Sequence, residues 1–266
     1  FRQTGIIRYM STAVRSKFKK ALPSLALLAL VVLLAGLSFL PAVRKTPKTA
    51  ATSAGGVDGE ALRVLESCRA YAAVHDFQTV MNGKIKAKVF GVPYTQNVHG
   101  TRRVCGEEFA EVTESVSAFV KAGIKRACAD GKYTAARGKY KNKTFVYGAP
   151  DSLDRDGYVA AYGMPATGLV KYNLDDSIIV AECVGENVYR YVLDVRRATQ
   201  YSRNEIKTML GSKSCPDYES VEFTLTADGE RAVKITATEK FRVDNFGGTH
   251  CTAQYTEVFE YAEPIL

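Results

Sequence analysis

Hydrophobic and polar positions follow two regimes along this chain. Between Ala21 and Val43, 23 consecutive residues carry no charge, and most are Leu, Ala or Val. At about 1.5 Å of rise per helical residue, such a run is about long enough to cross a bilayer core. Pro23 and Pro41 sit near its ends, where a membrane helix tolerates them. Beyond residue 57 the pattern breaks into short amphipathic segments. Asp58 is a candidate N-cap, and Ala61, Leu65, Cys68 and Ala72 then recur at helical spacing, which predicts a helix ending near His75. In Lys84–Val89 strict alternation puts Lys84, Lys86 and Lys88 on one face and Ile85, Ala87 and Val89 on the other, the pattern of a half-buried antiparallel strand.

The same reading predicts strands around Arg102–Val112, Ser117–Ala127, Lys132–Ala136, Lys143–Tyr147, Ser177–Cys183 and Asn187–Leu193. Ser152–Tyr162 reads as a short helix capped by Ser152 and stopped by Gly163, with Pro165 beyond. Asp194 would cap a second long helix running to Leu210 and ended by Gly211. In the C-terminal third, Val221, Phe223 and Leu225 alternate with polar residues up to a turn at Asp228-Gly229. A strand over Ala232–Val243 then turns at Gly247-Gly248 into a last one, Cys251–Tyr261. This order predicts an α+β fold: one long curved antiparallel meander with two or three helices packed on its concave face. The stripe of Leu62, Leu65 and Ala72 is expected against Ile85, Phe223 and Phe241, because a one-sided sheet offers the matching apolar surface.

Charge assigns the apolar run its role. Arg15, Lys17, Lys19 and Lys20 precede it, and Arg44, Lys45 and Lys48 follow. A cleaved signal peptide usually has an apolar core of about 7–15 residues followed by a small-x-small site. Here the run is longer, and such spacing (Ala50, Ala51, Ala54) comes only after Arg44-Lys45. A lipoprotein signal is ruled out by Leu34-Ala35-Gly36-Leu37, which has Leu where the lipidated Cys would stand. The run therefore reads as an uncleaved, single-pass signal anchor in the cell membrane. The basic N-terminal side stays cytoplasmic and the C-terminal part lies outside. The expected organisation is a basic cytoplasmic segment (1–20), the transmembrane anchor (21–43), a flexible tether (44–57) rich in Thr, Ala, Ser and Gly, and an extracytoplasmic domain (58–266).

The overall charge of +8 belongs to the anchor. Residues 1–49 hold nine of the 36 Lys/Arg and none of the 28 Asp/Glu, so the outer domain carries 27 against 28. That balance excludes a nucleic-acid partner, which needs basic surplus on the working domain.

Candidate chemistry is sparse. His75, His99 and His250 are the only histidines, and none has a second ligand at zinc spacing. No phosphate-cradling glycine loop or nucleophile elbow is present, so no enzyme and no cofactor is expected. Asp151, Asp154 and Asp156 lack the glycine and terminal Glu of a calcium loop and read as a solvated helix start. The three lysines of Lys84–Lys88 read as a solvent face that discourages edge pairing. Cys68, Cys105, Cys128, Cys183, Cys215 and Cys251 form an even set outside the anchor, and in an oxidising compartment at least one disulfide is expected. The abundant strand aromatics read either as plain core or as the lining of an apolar pocket. On the second reading the lining is Leu65, Ile85, Val89, Phe223, Leu225, Phe241 and Phe259.

Several stretches carry a family resemblance. They are Tyr158 through Gly163-Met164-Pro165, Gly168 with Tyr172, Cys215-Pro216-Asp217-Tyr218 leading into Val221–Leu225, Thr238–Phe241, and Thr256–Phe259. With the element order, they make residues 58–262 resemble the half-barrel of LolA/LppX-type lipoprotein and lipid carriers, and more closely uncharacterised membrane-anchored proteins of Gram-positive bacteria. The resemblance implies a one-sided sheet wrapped around helices and a cavity that accepts acyl chains. Two functions follow as expectations. One is non-enzymatic binding of an apolar ligand, a lipid or lipoprotein chain. The other is a protein-interaction or envelope-assembly module.

Overall fold

The computed structural model describes residues 56–89, 91–118, 120–203, 215–243 and 248–262. Thr49–Leu266 forms one compact unit. The expected anchor (21–43), its basic flank and all but the end of the tether lie outside the described residues. Among the described residues no helix is long and apolar enough to cross a membrane.

Helix α1 spans Gly59–Val74 as its periodicity predicts, with the Asp58 carboxylate accepting from Glu60 N–H at 2.9 Å and Ala61, Leu65, Cys68 and Ala72 buried. The strands that follow are β1 (Phe77–Val89), β2 (Val92–Cys105), β3 (Glu108–Val116), β4 (Lys121–Ala129), β5 (Lys132–Lys141), β6 (Thr144–Tyr147) and β7 (Asp151–Leu153). Then come α2 (Arg155–Tyr162), β8 (Ile178–Gly185), β9 (Val188–Leu193), α3 (Val195–Ala198), β10 (Asp217–Asp228), β11 (Arg231–Val243) and β12 (Thr249–Tyr261).

These strands make one sheet in the order β6-β5-β4-β3-β2-β1-β12-β11-β10-β9-β8, with β7 added on β5 and every strand pairing antiparallel. The expected single meander is thus two. One runs outward from β1 and the other inward to β12, and they are joined where β1 meets β12 from Phe77↔Tyr261 to Ala87↔Cys251. Among the described residues β6 and β8 stay open as edges, so the sheet is a curved half-barrel, as the family resemblance implies. Alternation along each strand sends Thr79, Val98, Val104, Phe109, Ile124, Phe223, Leu225 and Phe259 to the inner, helix-covered face. In β10, Val221, Phe223 and Leu225 are buried as the alternation predicts.

Several boundaries differ from expectation for local reasons. The expected strand Arg102–Val112 contains a hairpin turn, with Gly106 at φ 59° and Val104 paired to Phe109 across it. β2 begins ten residues earlier, because its inner positions Gln96 and Gly100 are not apolar. Ser117 N–H donates to Val120 O at 2.8 Å, a tight turn that delays β4 to Lys121. Ser152 does not cap α2. It lies in β7, and Asp154 caps instead, accepting from Gly157 N–H at 2.7 Å. Asp194 caps only one turn, α3, after which Thr199 Oγ1 donates to Val195 O at 2.7 Å and the helix is interrupted. Ser202 and Arg203 are helical again, and the rest of that expected helix, 204–210, lies outside the described residues, as does most of the expected Gly247-Gly248 turn. Finally, β1 is central, so Lys84, Lys86 and Lys88 guard no edge.

The expected disulfide is not formed. Cys68, Cys128 and Cys251 are buried thiols, Cys105 and Cys183 are exposed, Cys215 is intermediate, and all six are free. They are dispersed over α1, the β2, β4, β8 and β12 strands and the segment before β10.

Candidate functional site

The inner face of the sheet gathers the residues that the sequence marks as a lining. Helix α1 lies across β8, β10 and β11. Its buried stripe centres on Leu65, and Tyr191 from β9 donates its hydroxyl to Ala61 O at 2.7 Å. Phe223 stacks on the Tyr191 ring with centroids 4.8 Å apart. Leu65, Phe223, Leu225, Phe241 and Phe259 belong to one buried apolar cluster, each no more than 6 % exposed, and Ile85 packs against it half-buried. Val89 closes β1, and its side chain lies outside the described residues. The structure therefore brings six of the seven to one surface. It also covers that surface with the chain's own segments.

Helix α2 covers the other half. Tyr158, fully buried, packs its ring against Tyr133, Tyr162 and Phe109 at centroid separations of 5.0, 5.6 and 6.0 Å. Gly163 ends α2 at φ 87°, where a Cβ would come within 2.7 Å of Tyr201 O. The chain then runs as an irregular strap, residues 163–177, across the breadth of the inner face to β8.

Charged residues on the inner face hold this strap, and the sequence reading did not single them out. Arg126 on β4 donates to Tyr162 O at 3.1 Å and pairs with Glu111 on β3, which also pairs with Lys171 of the strap. Arg102 on β2 donates to Gly168 O at 2.6 Å and Ala166 O at 3.2 Å, and its other nitrogens reach Glu257 on β12 at 2.7 and 3.1 Å. Glu257 accepts from Thr79 as well, at 2.5 Å, and the Arg102 guanidinium lies 5.3 Å from the centre of the Phe77 ring. Further along, Tyr172 donates to Glu239 of β11 at 2.7 Å and places its ring 6.4 Å from that of Phe223. The end of α2 is thus tied to β4, and the strap to β3, β2, β11 and β10 in turn.

Electrostatics fit these roles. Burial works to raise the Glu111 carboxyl, but the neighbouring Arg126 and Lys171 outweigh it and hold the group at about 2. Burial and the Glu239 carboxylate push the Tyr172 phenol well above its ordinary range, so it stays a donor. The signal for this network was present in the sequence. Arg102, Glu111 and Arg126 stand at the same parity as Val104, Phe109 and Ile124, so each puts a charge on an apolar face.

The histidines occupy ordinary positions. His75 stacks on Tyr71 with centroids 3.8 Å apart, His99 Nδ1 lies 3.0 Å from Asn82 Oδ1, and His250 lies 2.6 Å from Glu219. Among the described residues no group of three His, Cys, Asp or Glu could hold a metal ion.

No protein-family model and no curated protein matches the chain. It is similar to several solved structures. One is a domain described as an outer membrane lipoprotein-sorting protein from Vibrio parahaemolyticus, with 9% identity and a TM-score of 0.32 over 77% of this chain and 93% of that one. A second is a DUF1329 family protein from Desulfovibrio piger ATCC 29098, with 11% identity and a TM-score of 0.29 over 77% and 92%. A third is an S-type phycobiliprotein lyase from Guillardia theta, with 9% identity and a TM-score of 0.26 over 75% and 94%. Likenesses this distant assign neither a ligand nor an activity to the chain.

Proposed function

We propose that residues 58–266 are a membrane-tethered, extracytoplasmic binding domain, not an enzyme. In this reading its inner face takes an apolar chain, a lipid or a lipoprotein acyl group, when the strap lifts. The observation that carries the reading is how the strap is fastened. Arg102 holds its backbone carbonyls at 166 and 168, and Arg126 holds the carbonyl of Tyr162 at the end of α2 that leads into it, over a surface rich in apolar and aromatic side chains. Water can replace hydrogen bonds when a segment lifts, so even with a charged arginine as donor each contributes only about 1.5–3 kcal/mol net. Exposed apolar surface has no such replacement, at about 25 cal/mol per Å2, and favours a hydrophobic occupant. The long uncharged run Ala21–Val43 and its basic flank support membrane attachment with this domain outside, as in the Gram-positive proteins that the chain resembles.

Two experiments test this. Protease added to intact cells should digest residues 58–266, and protection until lysis would overturn the topology. For the ligand, the full chain in lipid vesicles is exposed to a photoactivatable palmitate and the adducts are mapped. Adducts in 162–177 and 221–243 are expected, whereas adducts confined to 1–48 would overturn apolar-chain binding.

A second reading, an interaction or envelope-assembly module, is favoured by a different observation. The inner face is already filled, while edge strand β8 exposes Ile179 and Val184 and, among the described residues, pairs on its open side through a single parallel bridge to Val57.

A further inference from the structure

The outer face of the sheet carries a groove of about 730 Å3 lined mainly by residues with polar side chains. That volume falls within the roughly 300–1,000 Å3 of small-molecule sites. Its floor is Gly83 and Val98 at the centre of the sheet, and its walls come from four neighbouring strands. Strand β1 contributes Asn82, Lys84 and Lys86, β2 contributes Asn97 and His99, β3 contributes Glu114, and β12 contributes Thr252, Gln254 and Thr256. The floor is shaped by the inner face: a Cβ at Gly83 would lie 2.4 Å from Tyr255 Cδ1, so only glycine fits there.

Three features of the walls restrict the occupant. Nine of the twelve lining residues carry polar side chains, and Val116 is the one apolar side chain beside the floor. Asn97, Thr252 and Gln254 are exposed and have no side-chain partner among the described residues, which leaves amide and hydroxyl groups able both to donate and to accept. Lys84 and Lys86, two positions apart on one strand face, supply two ammonium groups. The acid opposite them, Glu114, already accepts from the Tyr147 hydroxyl at 2.8 Å. Donors and acceptors together suit a hydroxylated chain, and the two lysines suit anionic groups spaced along it.

We infer that this groove binds an acidic carbohydrate strand laid across β2, β1 and β12. Its hydroxyls meet Asn97, Gln254 and Thr252, and its acid groups meet Lys84 and Lys86. The site is on the face opposite the strap and does not depend on apolar-chain binding.

The full chain in detergent micelles is titrated calorimetrically with tetragalacturonate, with neutral cellotetraose and with polyphosphate. Saturable binding of tetragalacturonate is expected, with the other two much weaker. The exposed pair K84Q/K86Q should weaken it about tenfold or more, as should N97A/Q254A, while Lys234→Gln on β11 leaves it unchanged. Absence of saturable tetragalacturonate binding would overturn the inference. So would polyphosphate binding equally well, or N97A/Q254A having no effect, because either result reduces the groove to a patch of charge.

Discussion

Arg102 Nη2 lies 2.7 Å from Glu257 Oε1, although 155 positions separate the two residues and strand β1 runs between theirs. The pair bridges the junction of the two meanders. The same guanidinium reaches the strap, so one side chain ties the two halves of the sheet to the segment that covers them. Both side chains are taken from water, at 2% and 14% exposure. Arg102→Met should therefore cost about 3–5 kcal/mol, because Glu257 is left as a buried unpaired charge. The double variant R102M/E257M should recover a large part of that loss. Urea unfolding of the two variants and of Glu257→Met gives the coupling, and simple additivity would show that the pair does not act as a unit.

Acid should weaken the strap's attachment through Glu111. Its carboxyl is held at about 2 in the folded chain against an ordinary 4.5. A depressed acid contributes stability that is complete above its unfolded value and is lost as pH falls through its folded value. Between about pH 4.5 and 2 the unfolding free energy should therefore fall, by on the order of 3 kcal/mol from this group. Glu111→Gln should be less stable at neutral pH, since Arg126 and Lys171 lose their partner, and should show a shallower slope in that window. An unchanged slope would place the acid sensitivity elsewhere.

Thiol labelling should separate the six cysteines. Cys183 and Cys105 are exposed and should react within the native protein, Cys105 the more slowly because its thiol donates to Asp76 at 2.7 Å and is held above its ordinary value. Burial pushes the Cys68 and Cys251 thiols up to about 11 and should protect them. The unreduced, denatured chain should yield six thiols. A count of four or fewer would reveal a disulfide.

Gly83→Ala should destabilise by about 1–3 kcal/mol, as overpacking does. The new Cβ would meet Tyr255 Cδ1 at 2.4 Å and, harder to move, the Gln254 backbone oxygen at 2.7 Å. Thermal unfolding checks this, and a neutral substitution would mean that β1 and β12 can separate locally at little cost.

Periodicity in the sequence determined α1 with its Asp58 cap, the inner and outer faces of β10, the approximate extents of β11 and β12, and the α+β class. Each of these depends only on neighbours in the chain: spacing of 3.6 or 2, a capping carboxylate, a turn glycine. Tertiary structure alone decided that β1 pairs with β12, because ladder partners as far apart in the chain as Phe77 and Tyr261 or Ala87 and Cys251 leave no local mark. It also decided that Asp154 rather than Ser152 caps α2, since pairing of Asp151–Leu153 with β5 removes Ser152 from competition. Arg102, Glu111 and Arg126 break the apolar alternation of their strands, and in the folded chain they join the inner face to the segment that covers it. A buried charge is tolerated only when partners from distant segments converge on it, and such convergence exists only in the folded chain.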